Sequence, residues 1–219
     1  MVKLPIDVRI LINIYYNKYY VKKLKTAGHN ITCISISPDG KNIACGVSNG
    51  NIQLFDFNSV DTYIELNSHT MQVDAISFSP TKKILVSGSF GNTIKIWDLE
   101  LKKCIKTINI ETDDFTIIKF LPNGLLFISG SHDGNLIMWN ILGERVKDID
   151  MKTDHNAIFT IHPNEQLILC VYEYGIYLYD MSGNSIDSID FHTTHDIYDV
   201  MFSPDGLKII IPSINEIYI

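Results

Sequence analysis

The side chains best suited to reactive chemistry in this chain are His192, His195 and Asp196 near the C-terminus, and four cysteines, Cys33, Cys45, Cys104 and Cys170. Two histidines three residues apart beside a carboxylate make a metal clip when a helix holds them on one face. Here they fall in a connecting segment between strand patterns, where nothing in the spacing sets a common face. The cysteines form no CxxC and no zinc-knuckle spacing with histidine. Cys33, Cys45 and Cys170 lie inside apolar strand patterns, the setting of reduced thiols that pack as small hydrophobes. Ser37-Pro38, Ser79-Pro80 and Ser203-Pro204 have the form of phosphorylation dipeptides, but they recur at one place in a repeat and so read as turn formers. Asn30-Ile31-Thr32 matches a glycosylation triplet without a secretory signal to accompany it. No nucleophile elbow, phosphate-cradling glycine loop or paired metal motif occurs. The reading therefore assigns no metal, no cofactor and no catalytic residue.

The elements that carry these residues are periodic. Pro38, Pro80, Pro122, Pro163 and Pro204 follow one another at 42, 42, 41 and 41 residues. Phe55-Asp56, Trp97-Asp98, Trp139-Asn140 and Tyr179-Asp180 keep step at 42, 42 and 40. Two independent markers with one period describe an array of one supersecondary unit. In the unit 68–109, Val73–Phe78 reads as a strand, Ser79–Lys82 as a turn, Lys83–Gly88 as a near-continuous apolar strand, Thr93–Asp98 as an alternating strand and Lys103–Ile108 as a fourth. Four short strands joined by hairpins make one antiparallel sheet, and such a sheet buries its faces only against a neighbour. The units run 28–67, 68–109, 110–150, 151–190 and 191–219. The last stops before its aromatic–Asp pair, while Val8–Ile14 and Tyr19–Leu24 have the pattern of a third and a fourth strand. Residues 8–24 are therefore expected to complete the last sheet, since an unpaired edge is a liability.

On this period, Gly28-His29, Ser68-His69, Phe55-Asp56 and Trp97-Asp98 resemble the WD-repeat family over residues 28–219, and more weakly over 8–27. The resemblance implies an all-β fold, a β-propeller of four-stranded antiparallel blades. Here it would be one domain of five blades, the last shared between C-terminal and N-terminal strands. It also implies a protein that holds partners together rather than a catalyst. Two alternatives stand beside this: a fragment of a larger propeller that works only with additional blades, and a propeller enzyme with a site at the channel mouth. The family's buried His–Asp–Trp network is complete in no unit. His29 meets Asn49 and Phe55, His69 meets Gly91 and Trp97, and the third unit has Asp133 and Trp139 but no His. Stability is thus expected to rest on apolar burial.

By the same alignment, partner-facing positions surround the channel mouth. They are Ser48, Phe90, His132, Tyr172 and Ser213 before the third strands, and Thr32, Asp74, Thr116, Ala157 and Tyr198 on the first strands. Phe90, Tyr172 and Tyr198 are the candidate aromatic anchors, with His132 and Asp74 beside them. Asp113 and Asp114, with Glu111, Asp133, Asp154, Glu173 and Asp196, make this end acidic against Lys25 and Lys152, which suits a basic peptide segment. The competing reading is packing between blades for the aromatics and a solvated rim for the acids.

The whole chain is acidic, with a formal net charge of −7, 46% hydrophobic and 20% charged residues. A nucleic-acid binder usually shows a basic face, so other proteins are the expected partners, and neither nucleic acid nor membrane is. No apolar run is long enough for a bilayer and no secretory signal is seen, which with unpaired cysteines gives a cytoplasmic or nuclear expectation.

Overall fold

The proline turn closes the first hairpin of units one, three, four and five with one set of backbone bonds; in unit two Ser79 N–H donates to Ile84 O (2.9 Å), but Lys82 N–H goes to Ser79 Oγ (3.1 Å). In the computed structural model, Ser37 N–H donates to Asn42 O (2.8 Å) and Gly40 N–H to Ser37 O (2.8 Å). Leu121, His162 and Ser203 repeat the first bond to Leu126, Leu167 and Lys208, and Gly124, Glu165 and Gly206 repeat the second. In those four units the residue two past the proline turns left-handed: φ is +68° at Gly40, +69° at Gly124 and +74° at Gly206. Unit four places Glu165 there with φ +60°, a conformation uncommon for a residue with a Cβ.

The structure describes residues 9–14, 18–23, 28–67, 69–110, 115–131, 134–149, 158–172, 175–190, 197, 199–212 and 217–218. Every regular element among them is a strand. A hairpin of β1 (Arg9–Ile14) and β2 (Lys18–Lys23) comes first. Blade 1 follows as β3 (Ile31–Ile36), β4 (Asn42–Val47), β5 (Ile52–Asp56) and β6 (Ser59–Leu66). Blade 2 is β7 (Val73–Phe78), β8 (Ile84–Ser89), β9 (Thr93–Asp98) and β10 (Lys103–Asn109). Blade 3 is β11 (Phe115–Phe120), β12 (Leu126–Ser131), β13 (Leu136–Asn140) and β14 (Arg145–Ile149). Blade 4 is β15 (Ile158–Ile161), β16 (Leu167–Tyr172), β17 (Gly175–Asp180) and β18 (Ser185–Asp190). Blade 5 is built on β19 (Met201–Phe202), β20 (Ile209–Pro212) and β21 (Ile217–Tyr218). Strands within each sheet pair in chain order and antiparallel, giving a five-bladed β-propeller.

The two chain ends meet the expectation in part. β1 and β2 do form the antiparallel hairpin that the repeat pattern requires, with Arg9 opposite Lys23 and Ile14 opposite Lys18. β21 itself fills the third-strand place of blade 5. Among the described residues the hairpin is a two-stranded sheet of its own, and its ladder to the last sheet is not among the described pairings.

Apolar side chains of adjacent blades interleave to form the core. Ile76 and Phe78 of blade 2 pack with Ala44, Ile52 and Leu54 of blade 1. Ile118 and Phe120 of blade 3 pack with Val86, Ile94 and Ile96 of blade 2. Phe159 and Ile161 of blade 4 pack with Ile128, Leu136 and Met138 of blade 3. Val200 and Ile211 of blade 5 pack with Leu169 and Val171 of blade 4. Each fully buried Ile, Leu or Phe contributes about 1.5–3 kcal/mol. The first-strand pair that makes these contacts is 41% and 52% exposed only on blade 1, at Ile34 and Ile36.

At the proline-turn end, polar groups tie blade to blade. Ser79 Oγ donates to Gly124 O (2.9 Å) and Thr81 Oγ1 to Asn123 O (2.9 Å). Asn123 Nδ2 donates to Glu165 Oε2 (2.6 Å). His162 accepts from Asn164 N–H at Nδ1, so its Nε2–H is left to donate to Gly206 O at 3.2 Å. A Cβ on Gly124 would stand 2.2 Å from Thr81 Oγ1 and 2.9 Å from Thr81 N, whereas one on Gly40 would meet nothing within 4 Å. Gly40→Ala is expected to cost about 1–2 kcal/mol from the left-handed backbone alone. Gly124→Ala should cost more, because blades 2 and 3 must also part. Urea unfolding of the two variants checks this, and equal midpoints would mean that this contact does not set the blade spacing.

Candidate functional site

The end of the ring opposite the proline turns carries the first-strand starts and the turns before the third strands. A β-bulge marks that end in blades 1, 2 and 3: the first ladder slips between Ile31 and Cys33, between Val73 and Ala75, and between Phe115 and Ile117. The extra residues are Thr32, Asp74 and Thr116. A bulge re-aims a side chain out of the alternating pleat, so the sheet itself sets these three positions apart. Thr32 uses its hydroxyl between blades, against the carbonyl oxygens of Gly46 (3.0 Å) and Val73. Asp74 is partly buried and accepts from Gln72 Nε2 at 2.7 Å.

Gln72 joins two of the expected site residues. Its side chain holds Asp74, and its carbonyl accepts the Phe90 N–H at 3.1 Å. Phe90 sits in the turn between β8 and β9 and is 47% exposed. Met71 beside it is 46% exposed, and Ser89 Oγ pins its carbonyl at 3.1 Å. Blade 2 thus presents an aromatic ring from one loop and a thioether and a carboxylate from another, joined by the Phe90 to Gln72 backbone bond. The thioether adapts to irregular apolar shapes, the ring is a typical interface anchor, and the carboxylate suits a cation. Met71 and Gln72 were not picked out by the repeat alignment, because the between-unit loops vary in length and composition.

His69 secures this loop from below. It is 7% exposed, and its N–H donates to Gly50 O of blade 1 at 2.9 Å. Its Nε2 lies 2.8 Å from Ser87 Oγ and its Nδ1 2.9 Å from Thr93 Oγ1. Trp97 Nε1–H donates to the same Ser87 Oγ at 3.0 Å. One arrangement uses every group: Ser87 accepts from the indole and donates to Nε2, and Nδ1–H donates to Thr93. The His–Asp–Trp set is incomplete in unit two, as its Gly91 implies, and Ser87 and Thr93 supply the hydrogen-bond partners instead. In blade 3, Trp139 Nε1–H finds Ser129 Oγ at 2.9 Å, with no histidine needed. The signal was present in the sequence: Ser87 and Ser129 recur 42 residues apart, ten residues before each tryptophan.

The remaining expected site residues are not brought into view. His132, Tyr198, Asp113 and Asp114 lie outside the described residues, as do the other acids counted at this end and Lys25 and Lys152. So do His192, His195 and Asp196. Tyr172 ends β16, with its side chain outside the description. Among the described residues no group of three or more His, Cys, Asp or Glu is placed to hold a metal ion. All four cysteines are free. Burial pushes the Cys33 and Cys45 thiols up to about 12 and raises Cys170 as well, so these three stay protonated. No helix among the described residues is long and apolar enough to cross a membrane.

Burial, with a smaller effect from Lys95, lowers the His69 pKa to about 4. In the unfolded chain a histidine titrates near 6.5. Between these values the unfolded chain binds a proton that the folded one refuses. Stability is therefore full above about pH 6.5 and falls as the pH drops toward 4, by roughly 1.4 kcal/mol per unit. Urea unfolding at pH 6.5 and pH 5 should show the native protein losing about 2 kcal/mol more than His69→Gln. A parallel loss in both proteins would mean that His69 does not carry this dependence.

No curated protein matches the chain. The family model described as eukaryotic translation initiation factor eIF2A matches residues 10–157, which takes in the β1–β2 hairpin and all of blades 1, 2 and 3. That match covers more than half of the 219 residues, and a propeller is built over the same stretch; the chain belongs to the eukaryotic translation initiation factor eIF2A family.

Proposed function

We propose that the protein is a non-catalytic interaction scaffold, holding peptide segments or partner subunits on the loop end of its propeller within a larger assembly. The observation that carries this reading is the pair Met71 and Phe90, two large apolar side chains nearly half exposed and fixed by backbone bonds on a rigid sheet. Singly scattered apolar residues are ordinary on protein surfaces. A thioether and an aromatic ring on two neighbouring loops of one blade, next to a bulge-directed carboxylate, form a compact anchor site. A peptide with an apolar side chain followed by a lysine or arginine fits it. The apolar group would seat between Met71 and Phe90, and the cation would meet Asp74 and the ring face.

The WD-repeat likeness supports the same reading at a finer level, because the network of His69, Ser87 and Trp97 stands where that family places its buried polar residues. The family name adds a context, translation initiation, in which a scaffold assembles with other proteins in a reducing compartment, cytoplasm or nucleus. The net charge of −7 makes proteins better direct partners than nucleic acid.

The test is affinity capture from the native cell with the unaltered chain, Phe90→Ala and Met71→Ala. Each variant should weaken partner binding by about 1–3 kcal/mol with an unchanged melting temperature. A drop in stability that matches the drop in binding would make Phe90 a packing residue. Full binding by the double variant would move the site away from blade 2.

A further inference from the structure

Ser35, Ser77, Lys119 and Thr160 occupy the same place on the innermost strands of blades 1 to 4, at intervals of 42, 42 and 41 residues. All four line one cavity of about 530 Å³, with Phe78 and Phe120 among its apolar walls. A space touched by the first strands of four blades is the central channel. Its volume lies within the range of about 300–1,000 Å³ usual for small-molecule sites.

The polar groups around this space are rich in unused donors. Lys119 Nζ donates to Asp199 Oδ1 at 3.1 Å and to Val200 O at 3.2 Å, across the channel to blade 5. An ammonium has three protons, so one is left. Ser77 Oγ accepts the Phe120 N–H at 3.4 Å and keeps its own proton. Thr160 is only 7% exposed, and among the described residues neither its hydroxyl nor that of Ser35 has a hydrogen-bond partner. Neither hydroxyl is sealed from solvent, so the donors facing this cavity are open to an acceptor that enters it. The charge of that acceptor is limited. Asp199 already balances Lys119, so a dianion would meet more repulsion than attraction, whereas a single negative charge spread over two oxygens can take the lysine proton and the hydroxyls together.

We propose that the channel is a binding site for a small organic monocarboxylate. The carboxylate is held by Lys119 Nζ and the hydroxyls of Thr160, Ser77 and Ser35, and the apolar part lies against Phe78 and Phe120. This site is separate from the loop surface of blade 2 and stands whether or not that surface binds peptides.

The test is an amide NMR titration of the full chain with benzoate, and with benzamide as the uncharged isostere. Benzoate should shift signals from the four innermost strands, and benzamide should bind about tenfold more weakly or less. The double variant Ser35→Ala, Thr160→Val leaves the Lys119–Asp199 pair in place and should weaken benzoate about tenfold. Lys119→Met should abolish binding. Equal binding of benzoate and benzamide, no benzoate binding at all, or an unaltered affinity in the double variant would each overturn the proposal.

Discussion

Two apolar side chains, two residues apart on each innermost strand, hold successive sheets together. Ile76 and Phe78, Ile118 and Phe120, and Phe159 and Ile161 each enter the face of the preceding blade. The second and third strands of that blade supply the other half of the contact. No single sheet has a core of its own, because both of its faces are apolar and each needs a neighbour. Everything else in the molecule depends on this interleaving: the loops are held in place only because the sheets beneath them are.

Polar groups add register to that packing. In blades 2 and 3 the third-strand aromatic is tryptophan, whose buried indole N–H requires an acceptor. Ser87 and Ser129 supply it from the neighbouring strand. In blades 1 and 4 the aromatics are Phe55 and Tyr179, and the same strand position is Cys45 or Cys170, a side chain of similar size that behaves as a hydrophobe. Serine thus stands at this position in the two blades whose third-strand aromatic is tryptophan, and cysteine in blades 1 and 4. At the proline-turn end, the Ser79, Asn123 and His162 side chains link each turn to the next blade. Hydrogen bonds cross between blades at the other end too, from the Thr32 hydroxyl to Val73 O and from His69 N–H to Gly50 O, and that end also carries the bulges and loops.

Packing and polar bonding together explain the placement of the two candidate sites. The loop surface of blade 2 is exposed yet fixed, because His69 is buried beneath Met71 and Gln72 and bonded to Ser87 and Thr93. The channel takes its polar groups from the position on each first strand that alternates with the core pair, while Phe78 and Phe120 serve both the core and its wall. The alternation of the strand sends Ile118 and Phe120 into the core and Lys119 to the channel. One residue of slip would exchange them.

The repeat made the architecture readable from residues alone. Pro38 to Pro204 and the aromatic–Asp pairs fix strand count, turn positions and blade order, because turn geometry and strand alternation are local properties. Phe90 was likewise readable as exposed, since a turn of Ser, Gly and Asn gives it nothing to pack on. Folding alone could settle what depends on residues distant in sequence. Ser87 as the bridge between His69 and Trp97 and the bulge that sets Asp74 apart arise when the strands of one unit pair, and Lys119 reaching Asp199 eighty residues away arises only when blades 3 and 5 come together. A linear pattern records which residue types recur; only the stacking of sheets decides which of them share a cavity or a hydrogen bond.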